Sequence, residues 1–235
     1  MLAIVRTTSK HANSIAPRPQ PSGVGKTFSA CVMECQSRVL ERKEHVFSAG
    51  DRATHVYKIE AGHVCVYRTL VDGRRHIVAF AQPGDYLGLG TIGRHRNHAQ
   101  VTERSRLRCL PIKGLENHIK DTPELGLSLY EALSQELAAS EEHMISVTQS
   151  SAKERIAKFL LMLANRNRTI RGPALSLVLP MTRADIADYL GLTIETVSRT
   201  LSRLRVEGII LLEQGVLVTI LDPNALEAIA DSIER

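Results

Sequence analysis

The stretch Arg183-Ala-Asp-Ile-Ala-Asp-Tyr-Leu-Gly-Leu-Thr-Ile-Glu-Thr-Val-Ser-Arg-Thr-Leu201 holds the densest chemical information in this chain of 235 residues. Its pattern predicts two short helices joined at Gly191, which supplies the positive φ of the turn. Ala187 is small where the helices cross, and Val197 returns an apolar side chain to the core. Thr193 is placed to cap the second helix. Within that helix Ile194, Val197, Leu201 and Leu204 fall three, four and three residues apart and form the expected buried stripe. Glu195, Ser198, Arg199 and Ser202 then share the opposite face. An arginine displayed this way can form a bidentate pair with O6 and N7 of guanine, and a glutamate can accept from N4 of cytosine. Such a face suits the major groove of DNA. An ordinary amphipathic hairpin with a solvated outer face has the same apolar period, but the alanine, glycine and valine positions weigh toward DNA reading. Thr182, Arg183, Thr193, Thr196 and Arg203 are the candidate phosphate contacts, which position a domain without reading bases.

Two other groups of residues could carry chemistry. Ser22-Gly23-Val24-Gly25-Lys26-Thr27 resembles the end of a phosphate-binding P-loop, in which backbone amides and a lysine cradle a nucleotide. The motif needs glycine where Gln20 stands and a buried strand before it, whereas residues 15–21 hold three prolines. No later apolar strand ends in an aspartate suited to magnesium. A P-loop NTPase is therefore the weaker alternative, and no enzyme activity is expected. Cys31, Cys35, Cys65 and Cys109 are scattered without a disulfide framework, which suits a reducing compartment; buried or surface thiols are the expectation.

The elements that must position these residues are legible in outline. Residues 1–30 mix Ser, Pro, Lys and Arg without period and read as a flexible tail. No apolar run approaches the roughly 18–20 residues that span a bilayer, so no membrane partner and a cytoplasmic location are expected. Between about 45 and 112, runs rich in Val, Ile, Tyr and Phe are punctuated by Gly50, Gly62, Gly73 and Gly84, a rhythm that predicts an antiparallel β-sandwich or roll. Asp72-Gly73 is a hairpin signal. From Pro123 onward the composition turns helical, and Tyr130, Leu133, Leu137, Met144 and Val147 fall on a heptad-like stripe interrupted at Ser140 or Glu141. That stripe wants either a partner helix or the β-roll. A second helix over 152–165 carries Ile156, Phe159, Leu160 and Leu163 on one face. β-rich runs at 175–179 and after Gly208 predict a winged form of the helix-turn-helix. The net charge of +5 favours a polyanionic partner, and residues 150–210 alone contain ten Lys or Arg against five Asp or Glu.

Three segments, Gly84-Asp85-Tyr-Leu-Gly-Leu, Ala152-Lys-Glu-Arg-Ile-Ala-Lys-Phe-Leu and Arg183 through Arg199, resemble the CRP/FNR superfamily, over nearly the whole chain after the tail. The stretch Leu190-Gly-Leu-Thr-Ile-Glu-Thr-Val-Ser-Arg199 is similar to its FNR and FixK branch. The resemblance implies an α+β fold class. A tail (1–30) leads into a cyclic-nucleotide-binding-like jelly roll (31–122), a dimerisation helix (123–149) and a C-terminal winged helix-turn-helix (150–235). It implies that Glu195, Ser198 and Arg199 read half-sites related to TTGA, and that Tyr130, Leu133, Leu137, Met144 and Val147 form the interface of a homodimer on a palindromic double-stranded site. Cyclic-nucleotide-binding relatives use a Gly-Glu pair and an Arg-Ser pair. Here Leu89 follows Gly88, and Arg94-His-Arg-Asn-His-Ala99 offers no Arg-Ser pair, so no cyclic nucleotide is expected.

Relatives with an iron–sulfur cluster need four thiolates, and Cys109 sits off the family register. No cofactor is expected, and a heme- or iron–sulfur-gated member is the alternative. His95 and His98 are expected at the surface. FixK-like members imply activation of genes for low-oxygen respiration, denitrification or nitrogen fixation. The segment 91–108, with five arginines and one glutamate, reads as a solvated loop. The matching loop of FNR-like activators touches RNA polymerase, which implies that role for Arg94 and Arg96.

Overall fold

The computed structural model describes residues 35–166 and 175–232. The tail, the P-loop-like segment and Cys31 lie outside the described residues. The N-terminal half is an antiparallel roll of eight strands: β1 (Ser37–Leu40), β2 (His45–Phe47), β3 (His55–Ala61), β4 (Val64–Thr69), β5 (Arg75–Ala81), β6 (Tyr86–Leu87), β7 (His98–Val101) and β8 (Ser105–Pro111). They form two sheets, ordered β1-β8-β3-β6 and β2-β7-β4-β5. Their inner faces close on Leu40, Phe47, Ile59, Val64, Ala99, Val101 and Leu107, as alternating strands of a sandwich require. The glycine rhythm has a backbone cause. Gly50, Gly62, Gly73 and Gly84 all have φ between +81° and +95°. At Gly62 space forbids substitution as well, because a Cβ would lie 2.1 Å from Ser105 Oγ. The Asp72-Gly73 hairpin joins β4 to β5, with the Leu70 amide donating to the Arg74 carbonyl at 2.8 Å.

Two expectations for the roll need correction. Residues 91–108 are not one solvated loop, because β7 and the start of β8 lie within them. Ala99, Val101, Ser105 and Leu107 alternate inward, so the interleaved arginines belong to the outer faces of strands. Arg104 pairs with Glu41, and Arg106 and Arg108 share Glu60. Nor is His95 a surface histidine: it is 4% exposed, and its ring stacks on Phe47 with centroids 3.6 Å apart. Burial lowers the His95 pKa, against a smaller opposing pull from Asp51. An imidazole in the unfolded chain titrates at about 6.5. The stability that neutral His95 contributes is thus complete above that pH and lost as pH falls through the depressed folded value. Melting between pH 7.5 and 5.5 is therefore expected to show a smaller acid-side loss in His95→Phe than in wild type, by a few degrees. Equal losses would remove His95 as the cause.

The roll leads into α1 (Ile112–Asp121) and α2 (Pro123–Gln149), the latter opened by proline at its first turn. Leu125 and Leu129 of α2 pack with Val56, Leu110 and Leu115, and this contact seats the start of the helix on the roll. Extended backbone at Ser150 (ψ 148°) separates α2 from α3 (Ala152–Arg166). The C-terminal domain follows with β9 (Leu175–Val178), α4 (Arg183–Leu190), α5 (Ile194–Val206), β10 (Ile210–Glu213), β11 (Leu217–Ile220) and α6 (Pro223–Ala230). Its three strands are ordered β10-β11-β9, and its core gathers Ile156, Leu160, Ile186, Val197, Leu204, Val218 and Leu226. The result is an α+β chain: jelly roll, long helix, winged helix-turn-helix. Among the described residues no helix is long and apolar enough to cross a membrane.

Candidate nucleic-acid interface

Local chemistry fixes the two helices of the helix-turn-helix, the candidate reading head. A reciprocal capping box opens α4: Thr182 Oγ1 accepts from the Asp185 amide at 3.1 Å, and Asp185 Oδ2 accepts from the Thr182 amide and hydroxyl at 2.9 and 2.8 Å. Thr182 is exposed as a phosphate contact requires, with its hydroxyl spent on the cap. Gly191 ends α4 in the left-handed conformation (φ 63°, ψ 40°), and the Leu192 amide returns to the Ala187 carbonyl at 2.8 Å. Arg155 of α3, which sequence reasoning passed over, clamps this turn from below. Its Nη1 donates to the Leu190 and Gly191 carbonyls at 3.0 and 3.4 Å, and its Nε to the Ser150 carbonyl at 2.8 Å. Nothing in the segment 152–160 distinguishes it from its basic neighbours Lys153 and Lys158.

On α5, Thr193 caps the start by accepting from the Thr196 amide at 3.2 Å. Val197, Leu201 and Leu204 are buried as expected, but Ile194 is 48% exposed and Thr200, at 9%, completes the inner face instead. Ile194 is the first residue of α5, where the chain is still leaving the turn. The period therefore misassigns it. Glu195, Ser198, Arg199, Ser202 and Arg203 are all exposed on the outer side. The backbone N–H of Glu195 and then the Thr193 hydroxyl hold the Glu195 carboxyl below the usual carboxylate range, so it is an ionised acceptor at neutral pH.

The arginines differ in readiness. The Arg199 guanidinium has no hydrogen bond or ion pair with any other described residue, whereas Arg203 Nε sits 3.0 Å from Glu207 Oε1, a carboxylate shared with Lys153. Arg183 is half-buried beneath the wing. Its Nη2 donates to the Gly215 carbonyl at 2.9 Å, its Nη1 is buried without a partner, and burial lowers its pKa. A phosphate would have to meet Arg183 at the wing turn rather than in the open.

Along α2 most of the stripe is left uncovered. Tyr130, Leu137 and Met144 are 70%, 61% and 61% exposed, with Leu127 and Ile145 also uncovered, while Leu133 meets the roll, its Cδ2 3.8 Å from the position of a Cβ on Gly90. Val147 turns toward the reading head, where its Cγ1 lies 3.2 Å from the position of a Cβ on Gly191. Met144 and Val147 border a shallow pocket of about 240 Å³ together with His76, His143 and Tyr189. Arg94 and Arg96 are exposed on the roll, Arg94 donating to the Gly50 carbonyl at 2.6 Å.

Three of the four thiols are among the described residues, Cys35 and Cys109 being half-buried. Cys65 is buried and accepts from Arg75 Nη2 at 2.9 Å, and burial pushes its thiol up to about 11. Among the described residues no three His, Cys, Asp or Glu side chains are grouped to hold a metal ion.

Residues 37–122 match the family model of a cyclic nucleotide-binding domain, and residues 154–229 that of a Crp-like helix-turn-helix domain. The nitrogen fixation regulation protein FixK of Bradyrhizobium diazoefficiens is 40% identical over 187 residues, covering 80% of this chain and 78% of that protein. The transcriptional activator protein FnrL of Cereibacter sphaeroides is 35% identical over 191 residues, 77% of this chain and 76% of the relative. Among solved structures, FixK2 from Bradyrhizobium japonicum superposes with a TM-score of 0.78 at 32% identity, covering 84% of this chain and 98% of that one.

Proposed function

This chain belongs to the CRP/FNR family of DNA-binding transcription regulators, in its FixK-like branch, and from that footing we propose that it activates transcription by binding a TTGA-type palindrome as a homodimer without a small-molecule effector. The observation that carries the reading is the outer face of α5, where Glu195, Ser198 and Arg199 stand together and the Arg199 guanidinium has no partner among the described residues. A guanidinium held ready by its helix and committed to nothing else is suited to the bidentate pair with guanine. Thr182, Thr193, Thr196, Arg203 and, at the wing, Arg183 set the register on the phosphates. The α2 stripe from Tyr130 to Met144 joins the two subunits, and two reading heads on one two-fold axis require a palindrome.

Independence from an effector rests on the roll. At Gly88, where a nucleotide-binding relative continues with a glutamate, Leu89 follows and packs into the apolar cluster around Leu110 and Leu115. The His95 ring, stacked on Phe47, lies 3.4 Å from where a Cβ on Gly88 would be, so imidazole and phenyl fill the space beside it. Arg94 and Arg96 are the assigned contact with RNA polymerase. The names of relatives, nitrogen fixation regulation and transcriptional activation, support genes for low-oxygen respiration, denitrification or nitrogen fixation as targets.

The effector-free protein is expected to bind a labelled TTGA palindrome with an affinity that added cyclic AMP leaves unchanged. Binding that required cyclic AMP, or that appeared only after iron–sulfur reconstitution, would contradict this account of the roll.

A further inference from the structure

The sheet β2-β7-β4-β5 ends at β5, whose outer edge has no strand beside it among the described residues. The first helix of the reading head takes that place. Asp188 of α4 accepts from the Ile77 backbone amide, Oδ2 to N at 2.9 Å, and its Oδ1 lies 3.5 Å from His76 Nδ1. Three residues earlier on the same helix, Asp185 Oδ1 lies 3.6 Å from Arg75 Nη2. Arg75 is itself braced by the Cys65 sulfur at 2.9 Å and by the Tyr67 ring, 4.2 Å below its guanidinium. Phe80 of β5 meets Tyr189 of α4 edge-on at 5.3 Å, and Tyr189 stacks on His143 of α2 at 4.1 Å. Roll, long helix and reading head thus converge on one short helix.

The two aspartates are not equivalent. Asp185 is needed by α4 itself as half of the capping box. Asp188 has no such duty, and a carboxylate in the last turn of a helix opposes the macrodipole. Its side-chain partners among the described residues, Ile77 and His76, both belong to the roll. A residue that is locally unfavourable and engaged only across a seam marks the seam as the reason for its presence.

We propose that Asp188, supported by Arg75, is a positioning residue that docks the reading head on the open edge of β5 and thereby sets the separation of half-sites the protein accepts. This rests on the homodimeric, palindromic reading above. The head meets α2 through the Ser150–Ser151 link, the Arg155 clamp, Val147 beside Gly191 and His143 on Tyr189, all near the end of that helix; the β5 edge is a separate point of attachment on the roll that fixes its direction. In a dimer built on α2, the direction of each head decides how far apart the two α5 helices stand.

The test measures affinity for a set of TTGA palindromes whose spacer is lengthened or shortened by one and two base pairs, together with a guanine-substituted control site. Wild type is expected to prefer one spacer. In Asp188→Ala that preference is expected to fall roughly 10-fold while discrimination against the substituted base is retained, because docking and base reading are separate functions. Asp188→Asn, whose amide oxygen can still accept from Ile77, is expected to keep most of the preference. Exchange of the Ile77 amide is expected to accelerate roughly 10-fold in the alanine variant and to stay slow in the asparagine variant. Wild-type spacer preference in Asp188→Ala, or unchanged Ile77 exchange, would overturn the proposal. A wild-type protein indifferent to spacing would overturn both it and the palindromic reading. Should Asp188→Ala not fold, Arg75→Gln on the roll side of the same seam is read by spacer preference, with the same two outcomes.

Discussion

Arg199→Ala is expected to lose discrimination at the guanine of the half-site while keeping the fold and the general attraction to DNA. The residue is exposed on α5, one turn after Glu195, and is tied to no other described side chain. Its removal therefore leaves no orphaned partner inside the protein. A bidentate arginine–guanine pair is worth about 1–3 kcal/mol, so two half-sites lose about 2–6 kcal/mol between the cognate palindrome and a guanine-substituted one. Arg203→Ala is the internal control. Its guanidinium already shares Glu207 with Lys153, and the contact proposed for it is to phosphate, so both DNAs should weaken together and the salt slope should flatten by roughly one charge per subunit. Salt titrations of wild type and both variants on the two DNAs separate these outcomes. Full discrimination retained by Arg199→Ala would refute the assigned readout.

Leu137→Glu is expected to give monomers and to cost palindrome affinity roughly 100-fold or more, because the second head is no longer tethered to the first. Leu137 is 61% exposed in the single chain, one heptad from Tyr130 and one from Met144, so a glutamate there costs the folded subunit little and the apolar seam a great deal. Val147 is the poorer site for the same test, since it packs beside Gly191 and its loss would disturb the reading head directly. Sedimentation of Leu137→Glu reports the oligomeric state without DNA. A variant that stayed dimeric would assign the interface to another surface.

What the sequence makes legible here follows from the strength of local rules. Gly191, Ala187 and Val197 are readable because each meets a steric demand of the turn, and α2 because a helical stripe runs on from a proline at its first position. The four spaced glycines mark the roll because each sits where only positive φ will serve. The short elements are harder. In β1 only Leu40 is buried, so no alternation announces it. α6 had readable signals in Asp222 as cap and Pro223 at the first turn, yet eight residues give little period. Ile194 against Thr200 shows how a correct period misplaces its end member. Three features could not be read at all, because tertiary contacts create them. The stacking of His95 on Phe47, the Arg155 clamp and the Asp188 hydrogen bond to Ile77 each join residues far apart in the chain.

The central claim is that the outer face of α5 reads bases on a two-fold symmetric site with no effector bound. Selection of bound DNA from a random pool by the purified, effector-free protein, followed by sequencing, tests function, symmetry and half-site in one measurement. The account predicts two inverted TTGA-type half-sites at one separation, with the guanine among the most constrained positions. A pool that enriched a single unpaired half-site, an unrelated motif or no motif would contradict it.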